Sequence, residues 1–236
     1  LSPALVGRLA RAWLILKNFV FIGSPDNKAP FQVAELGGVR LDSLFHCNVL
    51  ASMLPLYLIA LLPPEPVFAE TWALKQEVHR LTGSRNAVRL PPHITLLPPF
   101  RAPADFEADC LASLADFAAA ELPFEVALDG FAWFGNRTLF VHVAGAEALK
   151  AFHTRLSRWC TEHLPQVPLE SRPFTPHLTL ATRDLPPAQV PELRQLFAER
   201  TYAATFPVAG LTLFRHDGQQ WQPRPTVALG GNPLPR

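Results

Sequence analysis

Residues 91–100 read PPHITLLPPF, and residues 175–180 read TPHLTL. Each stretch sets a histidine directly after a proline and follows it with an aliphatic residue, a threonine and a leucine. The first supplies His93, Ile94, Thr95 and Leu96; the second supplies His177, Leu178, Thr179 and Leu180. With 8 His and 13 Thr in 236 residues, a bare His-x-Thr is expected by accident about 0.4 times. Repeating the proline, the aliphatic residue and the leucine in both copies makes coincidence far rarer, so the pair requires a physical reason.

On a strand, residues i and i+2 share a face roughly 6–7 Å apart. His93 and Thr95 then look one way and Ile94 and Leu96 the other, and the second copy repeats this. If the two strands meet, two imidazoles and two hydroxyls line one cleft. Near neutral pH one imidazole can accept a proton while the other donates one. Each hydroxyl can donate to a non-bridging phosphate oxygen where charge builds in the transition state. That inventory suits phosphodiester chemistry without a metal, since no Asp, Glu or Cys lies at ligand spacing from either histidine. No G-x-S-x-G elbow supports nucleophilic catalysis by serine.

The surrounding chain reads as a duplicated order of strands and helices. Leu56–Leu61 is a strand-length apolar run, and 66–82 is a helix with Val67, Leu74, Val78 and Leu81 as its stripe and Gly83 as its stop. The strand with His93 follows. Residues 104–122 form a helix with Phe106, Cys110, Leu114 and Phe117 on one face, and 123–131 alternate as a strand. In the second half, 138–143 is a strand, 146–163 a helix, 176–181 the strand with His177, 187–199 a helix, and 204–214 a strand. A last strand lies near 221–229, after a hairpin turn in HDGQQ. His93 lies 37 positions after Leu56, and His177 lies 38 after Leu139. The matching order and spacing lead to the expectation of two similar lobes, at about 54–131 and 138–229, related by an approximate two-fold axis that brings the two His-bearing strands together along a cleft.

Composition narrows the function. Lys+Arg 21 against Asp+Glu 20 gives a net charge of +1, so no broad field advertises long nucleic acid or acidic membranes. A short oligonucleotide or small nucleotide fits better. Cys47, Cys110 and Cys160 are scattered without C-x-x-C spacing, which argues against a disulfide framework and for a reducing cytoplasm. The apolar run between Trp13 and Ile22 is too short to span a bilayer. Met53 is the one methionine, and residues 1–52 are expected to be an extension upstream of a single domain, 53–236. His79, His153 and His163 fall on helices as solvated residues, His142 on an exposed strand face, His216 before the Asp-Gly turn, and His46 in the extension.

The paired H-hydrophobic-T-L motifs resemble those of the 2H phosphoesterase superfamily, in particular its bacterial 2'-5' RNA ligase or RNA 2',3'-cyclic phosphodiesterase group. RPFTPHLTLA at 172–181, FGNRTLFVHV at 134–143 and LFRHDGQQW at 213–221 are similar to that family's segments. The resemblance implies a bilobal α+β fold, with two antiparallel sheets flanking a central cleft and helices outside, and action on 2',3'-cyclic phosphates or 2'-5' linkages, with His93 and His177 as the catalytic pair and Thr95 and Thr179 as phosphate donors. It implies no cofactor and no metal. The assignment taken here makes His177 the base that activates water and His93 the acid. Many relatives carry Arg five residues after the second His, where this chain has Thr182 and then Arg183, which alternation places on opposite faces. Arg183, Phe100 and Arg137 are candidate substrate contacts at the cleft rim; the alternatives are a solvated strand-end charge for Arg183, core packing for Phe100 and a hairpin-turn charge for Arg137. RNA ends or a small cyclic nucleotide are the expected substrates of a monomer. The competing expectation is a binding module that holds phosphorylated ligands without turnover.

Overall fold

The computed structural model describes residues 54–168 and 170–231, so the expected extension at 1–52 and its boundary lie outside the described residues. The elements run β1 (Leu56–Leu61), α1 (Val67–Thr82), α2 (Arg85–Val88), β2 (Ile94–Arg101), α3 (Phe106–Ala119), β3 (Phe124–Phe134), β4 (Thr138–Ala144) and α4 (Glu147–His163). They continue with β5 (His177–Thr182), α5 (Val190–Ala198), β6 (Ala203–Val208), β7 (Gly210–His216), β8 (Trp221–Pro223) and β9 (Val227–Ala228).

The strand order is β6-β3-β4-β5-β2-β1-β7-β8, with β9 on β7, and every pairing is antiparallel. Two four-stranded arrays, β2-β1-β7-β8 and β5-β4-β3-β6, therefore meet at β2 and β5. They touch through one residue pair, Ile94 with Leu178. This is the expected α+β fold with its two antiparallel halves and an approximate two-fold relation between them.

The lobes do not follow the two halves of the sequence. β3, expected in the first lobe, pairs with β4 and β6, while β7, expected in the second, pairs with β1. The reason lies in β1, whose Tyr57 to Leu61 are all buried. A strand covered on both faces needs a neighbour on each edge, and only β2 is local. The expected single strand at 204–214 is accordingly two strands that cross from one array to the other around Ala209. Its first part, β6, lies at the sheet's edge, where Pro207 loses little by lacking an N–H. The expected strand at 221–229 is likewise split into β8 and β9, with Pro225 in the gap.

Helix α1 ends as expected at Gly83, whose φ of 71° is the left-handed conformation of a helix stop. Its buried face is Val67, Thr71, Lys75, Val78 and Thr82; of the expected row Val67 and Val78 are buried and Leu74 packs against the core, while Leu81 is 45% exposed. Thr71 and Thr82 bury their hydroxyls by donating to the carbonyls of Val67 and Val78, each at 2.7 Å. The outer side of α1 is tethered by Arg200, which forks onto Glu77 at 2.7 and 2.8 Å, and by Tyr202, which donates to Glu70 at 2.9 Å. In α3 the expected stripe of Phe106, Cys110, Leu114 and Phe117 is the buried one.

Phe100 is a correction to the expected site. It is 4% exposed and packs between Tyr57 and Phe106, with ring centroids 6.2 and 5.6 Å away. β2 alternates, and Phe100 lies an even number of residues from Ile94, Leu96 and the core. Replacing it by Ala is expected to cost about 3–5 kcal/mol in urea unfolding. A loss below about 1 kcal/mol would contradict its place in the core.

Candidate active site

Because β2 and β5 run antiparallel with Ile94 opposite Leu178, one step along each strand sets His93 opposite Thr179 and Thr95 opposite His177. Ile94 and Leu178 point inward and are fully buried, as is Leu180, and Leu96 is 2% exposed. The four polar side chains occupy the other face as a square, with the histidines on one diagonal and the threonines on the other. His93, Thr95 and Thr179 line a cavity of about 190 Å³. Thr95 also lines the adjoining cavity of about 300 Å³ together with His177.

Both imidazoles are held in the same way. His93 Nδ1 donates to the carbonyl of Pro91 at 2.7 Å, and His177 Nδ1 donates to that of Thr175 at 2.8 Å. A carbonyl oxygen only accepts, so Nδ1 carries the proton in each ring and Nε2 is the nitrogen left for chemistry. The residue between histidine and acceptor is proline in both copies, Pro92 and Pro176. Its fixed φ, and the extended backbone it imposes on the residue before it, aim the carbonyl back at the ring. This accounts for the repeated Pro-His pair.

The two rings differ in their surroundings. Burial pushes His93 down to about 4, against the pull of the Pro91 carbonyl, and the charges of Lys75 and His177 add to the depression. Burial also lowers His177, opposed by the Thr175 carbonyl, with no neighbouring cation contributing. Phe134 meets the His177 ring edge-on at 4.8 Å and Phe140 does so at 5.2 Å.

Two further residues of the site were missed in the sequence. Lys75 is 1% exposed and donates to the Thr179 carbonyl at 3.0 Å. The signal was present as a polar residue in the 67-71-75-78-82 row of α1, masked by the more apolar row that contains Leu74 and Leu81. His153 is not the solvated residue expected. It stacks on Phe174 at 3.8 Å, lines the cavity of His177, and is lowered by burial, with the Leu96 carbonyl opposing.

The remaining candidates divide. Arg183 lines the cavity with His93, and it shares that lining with Thr182, contrary to the expected alternation. β5 ends at Thr182, and Arg183 turns the chain with a φ of 70°, its N–H donating to the Arg137 carbonyl at 3.1 Å. Arg137 itself is an exposed residue of the β3–β4 turn; its carbonyl positions Arg183. Among the described residues no group of three His, Cys, Asp or Glu side chains could hold a metal ion, and no helix is long and apolar enough to cross a membrane.

Residues 63–220 match the family model described as the 2'-5' RNA ligase superfamily. Among solved structures, the chain is similar to TT0787 of Thermus thermophilus, at 26% identity and a TM-score of 0.57, over 75% of this chain and 98% of that one. It also shares its fold with E. coli LigT complexed with 3'-AMP, at 18% identity and a TM-score of 0.51, over 74% of this chain and 98% of LigT. The search of curated proteins gave no match.

The depression of His93 has a consequence for stability. Its folded value of about 4 lies below the ordinary 6.5, so between these limits the unfolded chain binds more protons and stability falls as pH falls. By linkage this group is expected to remove up to about 3 kcal/mol between pH 6.5 and pH 4. Urea unfolding across that range should show a slope that is shallower in a His93→Gln variant. An unchanged slope would contradict the buried, neutral ring.

Proposed function

The chain belongs to the 2'-5' RNA ligase superfamily, and from that premise we propose that it is a metal-independent phosphodiesterase. Its substrates are 2',3'-cyclic phosphates on RNA ends or small nucleotides, and 2'-5' ligation is the reverse of the same proton relay. The observation that carries this reading is the square of His93, Thr95, His177 and Thr179 set by the Ile94–Leu178 pair, with each Nδ1 on a backbone carbonyl and neither Nε2 hydrogen-bonded among the described residues.

In this reading the phosphate sits over the square. One neutral imidazole takes a proton from water as the water oxygen bonds to phosphorus. The bond to one ribose oxygen breaks, that oxygen receives a proton from the other imidazole, and a phosphomonoester results. Thr95 and Thr179 donate to the non-bridging oxygens, where charge grows. The surroundings favour the reverse of the role assignment drawn from the resemblance. His93 is buried beside a cation and resists protonation, which suits the base. His177 is the ring that more readily takes a proton from solvent as an anionic phosphate arrives, which suits the acid.

The wider cleft supports a nucleotide. Phe134 is 40% exposed beside His177, and Phe174 lines the same cavity, so flat apolar surface is at hand for a base. LigT, which shares the fold, has been crystallised with 3'-AMP. We place this activity in the cytoplasm, as a monomer. Cys110 and Cys160 are buried free thiols pushed up to about 12 by burial, unreactive groups that ask for no oxidising compartment.

Turnover of a 2',3'-cyclic nucleotide in excess chelator tests the proposal. Chelator-resistant hydrolysis is expected, and replacement of either histidine by Ala should lower kcat/KM about 10²- to 10⁴-fold. Binding without turnover would favour a module that only holds the ligand, and activity abolished by chelator would refute the two-histidine relay. The pH dependence is a further check. With both imidazoles below their ordinary value, kcat/KM should be bell-shaped with its maximum below pH 6.5 and fall above it as the acid loses its proton. An optimum above pH 8 would contradict the assignment.

A further inference from the structure

Lys75 is a buried ammonium for which the fold offers no counter-charge. It projects from the inner face of α1 across to β5, where the Thr179 carbonyl takes one of its three protons at 3.0 Å. No carboxylate pairs with it among the described residues. The acidic group that follows β5, Asp184, is occupied by Ser84 Oγ and by the Asn86 N–H at 3.0 Å. The other titratable groups lining the same cavity are the neutral His93 and the cations Arg89 and Arg183, and no Asp or Glu lines it. An unpaired buried charge is costly to a fold, and a neutral side chain of similar length would fill this helix position at less cost.

The charge is also one-sided. Toward His177 the other helix, α4, presents His153, which is stacked on Phe174 and lowered by burial, with the Leu96 carbonyl opposing. Two nearly equivalent halves thus differ in that the His93 side holds a buried cation, whereas Arg172, which lines the His177 cavity, is exposed and paired with Glu170 at 2.8 Å.

Resting on the phosphodiesterase reading, we propose that Lys75 is the phosphate-binding cation of the cleft. Anchored on the Thr179 carbonyl, its ammonium donates a charge-assisted hydrogen bond to a non-bridging oxygen of the phosphate that Thr95 and Thr179 hold. The same charge adds to the burial that keeps the adjacent His93 neutral, so that binding the anion and readying the base are coupled. Arg89 and Arg183, on the outer part of the same lining, keep their charge at any pH of interest.

Burial lowers Lys75 to about 8, so its charge is lost as pH rises through that value. Both histidines are below 6.5, and sulfate does not titrate, so between pH 7 and pH 9.5 Lys75 is the group of the cavity that changes charge. Calorimetric titration of the full chain with sulfate reads this directly. The wild-type protein should bind sulfate at pH 7 and lose about 10- to 100-fold in affinity by pH 9.5. Lys75→Met should show that loss already at pH 7 and no further change, whereas Lys75→Arg should keep its affinity at pH 9.5. Should Lys75→Met fail to fold, the comparison of wild type with Lys75→Arg at high pH decides alone.

Absence of sulfate binding by the wild type, wild-type affinity in Lys75→Met, or an alkaline loss that survives in Lys75→Arg would each overturn the assignment. The test separates the two proposals. Sulfate affinity that depends on Lys75 in a protein inert toward cyclic phosphates refutes the phosphodiesterase reading alone. Hydrolysis accompanied by sulfate affinity indifferent to Lys75 refutes this inference alone.

Discussion

The single backbone pairing of Ile94 with Leu178 is the constraint from which the site follows. Antiparallel strands in that register have no freedom over which residues face one another: His93 must oppose Thr179, and Thr95 must oppose His177. A slip of one residue on either strand would turn its His and Thr into the core and its aliphatic pair into the cleft. The fully buried Ile94 and Leu178 make such a slip expensive, so the apolar half of each motif secures the polar half. Hydrophobic alternation and the geometry of the site are one feature here, expressed twice.

Around that pair the two halves are kept equivalent by exchanging strands, and the helix of the first half leans on the His-bearing strand of the second. Lys75 from α1 reaches the carbonyl of Thr179 on β5, and His153 from α4 lines one cavity with Thr95 and Leu96 of β2. The cleft therefore has no purely local wall; each side is completed by chain from the opposite half of the sequence. This interleaving ties site geometry to global folding. It also lets two similar motifs acquire unlike surroundings, a deeply buried ring beside a cation and a shallower ring among phenylalanines. Proton transfer in opposite directions requires such a difference.

Legibility in the sequence followed the range of the interactions. His93, Thr95, His177 and Thr179 could be read because a strand's period of two is local, and the repeat of the motif supplied the nonlocal information that they belong together. The helix stripe from Phe106 to Phe117 and the stop at Gly83 were readable for the same reason. What could not be read was pairing at a distance. Nothing near 204–214 announces that β6 joins β3 while β7 joins β1, because a strand's partner is chosen by burial that only the folded chain creates. Phe100 was misplaced since an aromatic residue beside a motif looks the same whether it faces core or cleft. Lys75 was overlooked because a lysine on a helix is ordinarily solvated, and its burial depends on a strand about a hundred residues away, an |i−j| of 104.

Crystallising the protein with a nucleoside vanadate, whose five-coordinate vanadium stands in for phosphorus in the transition state, tests the central claim most directly. The geometry predicts the Nε2 atoms of His93 and His177 on opposite apical oxygens at about 3 Å, with the Thr95 and Thr179 hydroxyls on the equatorial ones. Vanadate held by one histidine alone, or bound outside the square, would contradict the convergence of the two rings on a single reacting atom.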